Sequence, residues 1–153
     1  MKTKAVRLYG ANDLRLEEFD LPKISDDEIL AHIISDSICM SSYKCSTQGT
    51  AHKRIPKDVA TNPIIIGHEF CGKILEVGKK WSSKFKPGQK FSIQPAINFA
   101  GGPVGLLSAP GYSYRHIGGD ATHIIIPAEV MEQDCLLVYE GDAFFKGSLA
   151  EPM

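Results

Sequence analysis

Ile64-Ile65-Ile66-Gly67-His68-Glu69-Phe70-Cys71-Gly72-Lys73-Ile74-Leu75-Glu76-Val77-Gly78 is the stretch around which the chain is organised. One apolar run enters a bend and a second leaves it, so the pattern predicts strand, turn, strand. The glycines bracketing the bend let the backbone approach another group closely. Between them stand an imidazole, a carboxylate and a thiol, all metal-ligand types. Taken alone, the pattern fits a hydrogen-bonded histidine at a strand end as well as it fits a ligand.

Toward the amino terminus, residues 3–9 and 14–19 are extended in character and flank Gly10-Ala11-Asn12-Asp13, which is turn chemistry and predicts a hairpin. Residues 28–35 alternate, with Ile29, Ala31 and Ile33 on one face and Glu28, Leu30, His32 and Ile34 on the other. The small polar residues that follow can cap a short helix starting near Cys39 or Ser41. Residues 48–63, polar and carrying Pro56 and Pro63, read as a surface loop. Toward the carboxy terminus, Lys86-Pro87-Gly88-Gln89 is a turn before a strand over residues 90–94. Residues 98–119 are glycine-rich and irregular, an excursion from the sheet. A strand returns over residues 120–127, and a short apolar stretch begins at Leu136. Short strands parted by turn signals point to a mainly β barrel or sandwich, not to alternating β–α units.

With 153 residues the chain can bury a core of its own as one domain. A net charge of −1 leaves no electrostatic footprint for nucleic acid or an anionic membrane surface. No signal-peptide pattern and no apolar run of membrane-spanning length is present. Cys39, Cys45, Cys71 and Cys135 are irregularly spaced and read as thiols, not as a disulfide framework, which suits a reducing cytoplasm.

Cys39 follows a strand and precedes a helix, where a thiolate gains from the helix amino terminus and suits zinc; a small buried apolar thiol fits there too. His68 offers an imidazole, Glu69 a neighbouring carboxylate, and Glu151 a second carboxylate far along the chain. A catalytic zinc takes three protein ligands of these types and keeps one position open. Ala100-Gly101-Gly102-Pro103-Val104-Gly105-Leu106 looks like a nucleotide-binding turn but lacks the first glycine in register and a preceding strand, so it reads as loop. His32, His116 and His123 receive no role.

The whole set of motifs resembles the amino-terminal, GroES-like catalytic domain of the zinc-dependent medium-chain alcohol dehydrogenases. The motifs carrying the resemblance are Glu28-Ile29-Leu30 leading to Ile38-Cys39, then Ile66-Gly67-His68-Glu69 with Cys71-Gly72, Glu76-Val77-Gly78, Pro87-Gly88-Gln89-Lys90-Phe91 and Glu151-Pro152. Ser37-Ile38-Cys39-Met40-Ser41, Gly118-Gly119-Asp120-Ala121-Thr122 and Glu151-Pro152-Met153 are similar to the sorbitol dehydrogenase branch, and within it to L-sorbose-1-phosphate reductases. The resemblance implies a GroES-like, partly open β-barrel with short helices. It implies one catalytic Zn²⁺ held by Cys39, His68, Glu69 and Glu151, with Glu69 also exchanging with water, and no structural zinc, because residues 98–119 lack cysteine.

Ser41 takes the position of the hydroxyl that relays a proton to or from the substrate oxygen. Two positions depart from the family pattern. Ser42 replaces an aspartate behind the metal, and Lys44 replaces a relay histidine, where an ammonium suits a phosphorylated substrate or simply faces solvent. Cys71 is expected to be a buried thiol. The implied activity is NAD(P)-dependent oxidoreduction of a polyol–ketose pair, with sugar or sugar-phosphate substrates. The nucleotide-binding Rossmann domain is expected to lie outside residues 1–153, leaving an inactive, monomeric fragment of a homo-oligomeric parent, with neither a nucleic-acid nor a membrane partner. A metal-free, non-catalytic GroES-like interaction module is the alternative, and a zinc-independent reductase of the same superfamily is another.

Overall fold

The computed structural model describes residues 1–141. The predicted hairpin is present: β1 (Lys2–Gly10) and β2 (Asp13–Asp20) pair antiparallel from Lys2↔Asp20 to Leu8↔Leu14. Asn12, at φ 59°, supplies the left-handed turn residue between them. β1 also pairs with the very short β4 (Ile64–Ile65), so one sheet has the order β2-β1-β4.

The second sheet has five antiparallel strands in the order β7-β3-β5-β6-β8. Its members are β3 (Ile29–Asp36), β5 (Phe70–Val77), β6 (Lys90–Ile93), β7 (His123–Ile126) and β8 (Leu136–Tyr139). The alternation in β3 sorts its faces as expected. Ile29, Ala31 and Ile33 enter the main core beside Phe70, Phe91 and Ile124, while Ile34 faces solvent. Leu30 is buried too, against Leu21 and Ile125 in a smaller cluster. The Phe70 and Phe91 rings meet edge to face, 6.4 Å apart at 84°. Among the described residues the sheets do not close into one barrel; an isolated bridge, Ala5↔Ala121, ties β1 to the segment ahead of β7.

Three expectations need correction. The strand leaving the bend begins at Phe70, not Lys73, so Glu69 directly precedes it. Residues 48–63 are not a surface loop. After a 3₁₀ turn at Gly49–Ala51, this segment drives Ile55 and Val59 into a second core with Leu8, Cys45, Ile64 and Tyr112. Burying each is worth roughly 1.5–3 kcal/mol, a non-local gain that the polar local composition conceals. The third correction is a short helix, α2 (Ala128–Glu132), which the strand-and-turn reading does not include. Pro127 at its start and Glu129 in its first turn are the signals for it, and it buries Val130 and Met131.

The first helix, α1 (Met40–Gln48), starts where expected, with Cys39 as its extended N-cap. Residues 98–119 contain no strand, only a 3₁₀ turn at Gly105–Leu107. Their second half is nevertheless core, burying Ala109, Tyr112, Ser113 and Ile117.

Candidate metal centre

Three distant segments shape the bend at Gly67. This glycine has φ 89°, a conformation L side chains rarely adopt. A Cβ there would stand 2.2 Å from Asp36 Oδ2. The Gly119 amide donates to the Gly67 carbonyl (2.8 Å), the Asp120 amide to the Ile66 carbonyl (3.0 Å) and the Ser37 amide to the Glu69 carbonyl (2.9 Å). From the excursion, Gly111 comes so close that a Cβ on it would fall 2.0 Å from the Gly67 carbonyl oxygen.

This framework brings together donors that are far apart in sequence. Cys39 Sγ, a ring nitrogen of His68 and a carboxylate oxygen of Glu69 all lie within 4.8 Å of one another. His68 is 1% exposed and the Glu69 side chain 9%, with His68 Nε2 3.6 Å from Glu69 Oε1. On the other side of the ring, His68 Nδ1 lies 3.5 Å from Ser42 Oγ. The Tyr112 ring packs against the imidazole at a centroid distance of 4.7 Å. The Ser41 amide donates to Cys39 Sγ at 3.4 Å, and the start of α1 adds its partial positive charge there.

The donor set fits zinc. Thiolate sulfur, imidazole nitrogen and carboxylate oxygen bind it at about 2.0–2.3 Å, which puts tetrahedral neighbours roughly 3.3–3.8 Å apart. The observed separations, all within 4.8 Å, exceed that range by at most about 1 Å.

Of the residues singled out from the sequence, Cys39, His68 and Glu69 are brought together. Ser41 sits half-buried on the first turn of α1. Glu151 lies outside the described residues. Cys71 is a fully buried thiol on β5, paired in register with Ser92, and does not join the donors. Burial pushes the Cys45 thiol up to about 12, so it remains protonated and inert. Lys44 is exposed, two residues beyond Ser42 and so on the opposite side of α1.

Sequence reasoning missed the aromatic and cationic surround. Tyr112 lies in the excursion and Arg54 in the supposed loop, and the two line a recess of about 80 Å³ that ends on His68. No local pattern marks either residue. It also missed a carboxyl pair behind the bend, Asp36 with Asp120. Burial, with Asp120 alongside, pushes Asp36 up to about 8; burial raises Asp120 as well. A larger cavity of about 540 Å³, lined by Glu28, Asn62, Tyr114 and Arg115 among others, includes none of the donors.

Two sheets of this topology, with Cys39 before a short helix and His68-Glu69 at a glycine bend, define a class. The chain belongs to the alcohol dehydrogenase GroES-like domain family, which matches residues 25–134. Among characterised relatives it is 59% identical to L-sorbose 1-phosphate reductase of Klebsiella pneumoniae, over 99% of this chain and 36% of that protein. It is 43% identical to mannitol-1-phosphate 5-dehydrogenase of Aliivibrio fischeri, over 99% of this chain and 35% of that one. The chain therefore spans about a third of the length of these relatives. The solved structure of 2R,3R-butanediol dehydrogenase from Bacillus subtilis superposes with a TM-score of 0.77 at 24% identity, covering 98% of this chain and 44% of that chain, and so shares the fold. Among the described residues, no helix is long and apolar enough to cross a membrane.

Proposed function

We propose that the chain is the zinc-binding catalytic domain of a cytoplasmic NAD(P)-dependent oxidoreductase that interconverts a polyol and a ketose, with a sugar phosphate as substrate. The observation carrying this reading is the convergence of Cys39 Sγ, a His68 nitrogen and a Glu69 oxygen within 4.8 Å. Glu151 is the further ligand in this reading, and one zinc is the full complement. The relatives act, by their names, on L-sorbose 1-phosphate and mannitol 1-phosphate, which supports the substrate class. The nicotinamide-binding domain belongs, in this proposal, to chain outside these 153 residues, and the complete protein is a homo-oligomer.

A zinc ion held by Cys39, His68 and Glu69 would supply Lewis-acid polarisation of the substrate oxygen, and the nicotinamide would supply the hydride carrier. The chain's own residues do the rest. The Ser42 hydroxyl faces Nδ1 of His68 and holds the ring with its other nitrogen toward Glu69. The Ser41 hydroxyl carries the proton to or from the substrate oxygen, as a relay and not as a free base. Tyr112 covers one side of the imidazole.

Metal analysis of the purified chain tests the reading. Wild type should hold one zinc per chain and Cys39→Ser little. Cobalt substitution should give a thiolate charge-transfer band that the variant lacks. Metal-free protein in both forms, even after zinc is supplied, would leave the non-catalytic module as the better description.

A further inference from the structure

We propose that Arg54 is the residue that binds the substrate's phosphate at this site, so that the ligand is a phosphate ester whose phosphate lies a few bonds from the reacting carbon. The inference rests on the sugar-phosphate reading above and gives it a residue. The recess that ends on His68 is lined by Arg54, Gln94, Ala109 and Tyr112, and at about 80 Å³ it has room for two or three waters at roughly 30 Å³ each, the bulk of one oxyanion. His68 and Arg54 flank the same aromatic ring: the imidazole is 4.7 Å from the Tyr112 centroid and the guanidinium carbon 5.8 Å. The cation and the candidate metal ligand therefore contact the same ring and line the same recess.

Arg54 is held in place but not neutralised. Its amide donates to His52 Nδ1 at 3.2 Å, its carbonyl accepts from Ser113 Oγ at 2.7 Å, and Nη1 donates to the Leu107 carbonyl at 2.7 Å. Those bonds fix the backbone and one edge of the fork, leaving most of its donors for a ligand. Among the described residues, no carboxylate comes within ion-pair distance of it. Its sequence neighbourhood holds Lys53 and Lys57 against one carboxylate, Asp58, a local excess of positive charge in a chain whose net charge is −1. His52 is held below its usual range by burial first and then by Arg54 and Lys53, which keeps it neutral. A half-buried, preorganised guanidinium without a counter-ion matches the fork geometry of a phosphate. Lys44, the cation suggested by sequence, is on the far side of α1 and makes no such recess.

The zinc-loaded, ¹⁵N-labelled chain tests this by titration with L-sorbose 1-phosphate, L-sorbose and inorganic phosphate, following the Arg54 Nε–Hε resonance and measuring affinities by calorimetry. Both phosphate compounds should shift that resonance saturably and L-sorbose should not. The phosphorylated ketose should bind at least about tenfold more tightly than the plain one. Arg54→Gln, which can still donate to Leu107, should abolish that preference while leaving L-sorbose binding and zinc content unchanged; Arg54→Lys should keep part of it. If Arg54→Gln retains the preference, or phosphate fails to move the Arg54 resonance while still binding, the assignment is wrong and the sugar-phosphate reading survives. If wild type shows no preference for the phosphorylated ketose, the substrate reading fails and the assignment falls with it.

Discussion

Asp36 shows how a single buried group records the shape of this site. Its carboxyl is packed against the backbones of Gly67 and Gly119, where a Cβ on either glycine would fall 2.2 and 2.4 Å from it. With its pKa pushed from the ordinary 3.8 up to about 8, chiefly by burial, the folded chain holds a proton that the unfolded chain releases. The stabilisation is complete below the unfolded value and is lost as pH rises through about 8. Thermal midpoints should therefore fall from about pH 4 to pH 8 and level off above, and Asp36→Asn, which mimics the protonated form, should flatten that decline; equal slopes in both proteins would contradict this account. Ser42 is a second such residue. Removing the hydroxyl that faces His68 Nδ1 in Ser42→Ala should weaken zinc binding by about 10–100-fold, as losses behind metal-bound histidines generally do, read by competition with a chromophoric chelator.

The elements around the site owe their positions to burial more than to local preference. The segment over residues 48–63 is held by Ile55 and Val59 at 1% and 0% exposure, and its hold on the core is what presents Arg54 beside Tyr112. Ile55→Ala should cost about 2–5 kcal/mol in urea unfolding, where a surface loop would show almost no loss. The bend itself rests on Gly67, so Gly67→Ala should cost about 1–2 kcal/mol from its left-handed backbone alone, with the clash against Asp36 added. The same variant should lose zinc, because His68 and Glu69 follow directly.

At the scale of the whole molecule, the candidate metal site spans the loop before α1 and the bend before β5, so an ion bound there would add a tie to segments already joined by the Ser37–Glu69 hydrogen bond. Chelating the zinc should lower the thermal midpoint; a free ion at 1,000 times its dissociation constant contributes about 4 kcal/mol. Much of this molecule could be read directly from its residues. The hairpin, the alternating β3 and the helix start at Cys39 rest on interactions within a few positions, so periodicity and capping report them faithfully. His68-Glu69 and Cys39 stood out for the same reason: each sits at the end of an element that local pattern defines. Tertiary structure alone decided the rest. Ile55, Val59, Tyr112 and Arg54 lie in polar or glycine-rich segments whose conformations are fixed by contacts with distant strands. The pairing of Asp36 with Asp120 spans most of the described chain. Their burial depends on which surfaces meet, and local sequence carries no record of that meeting.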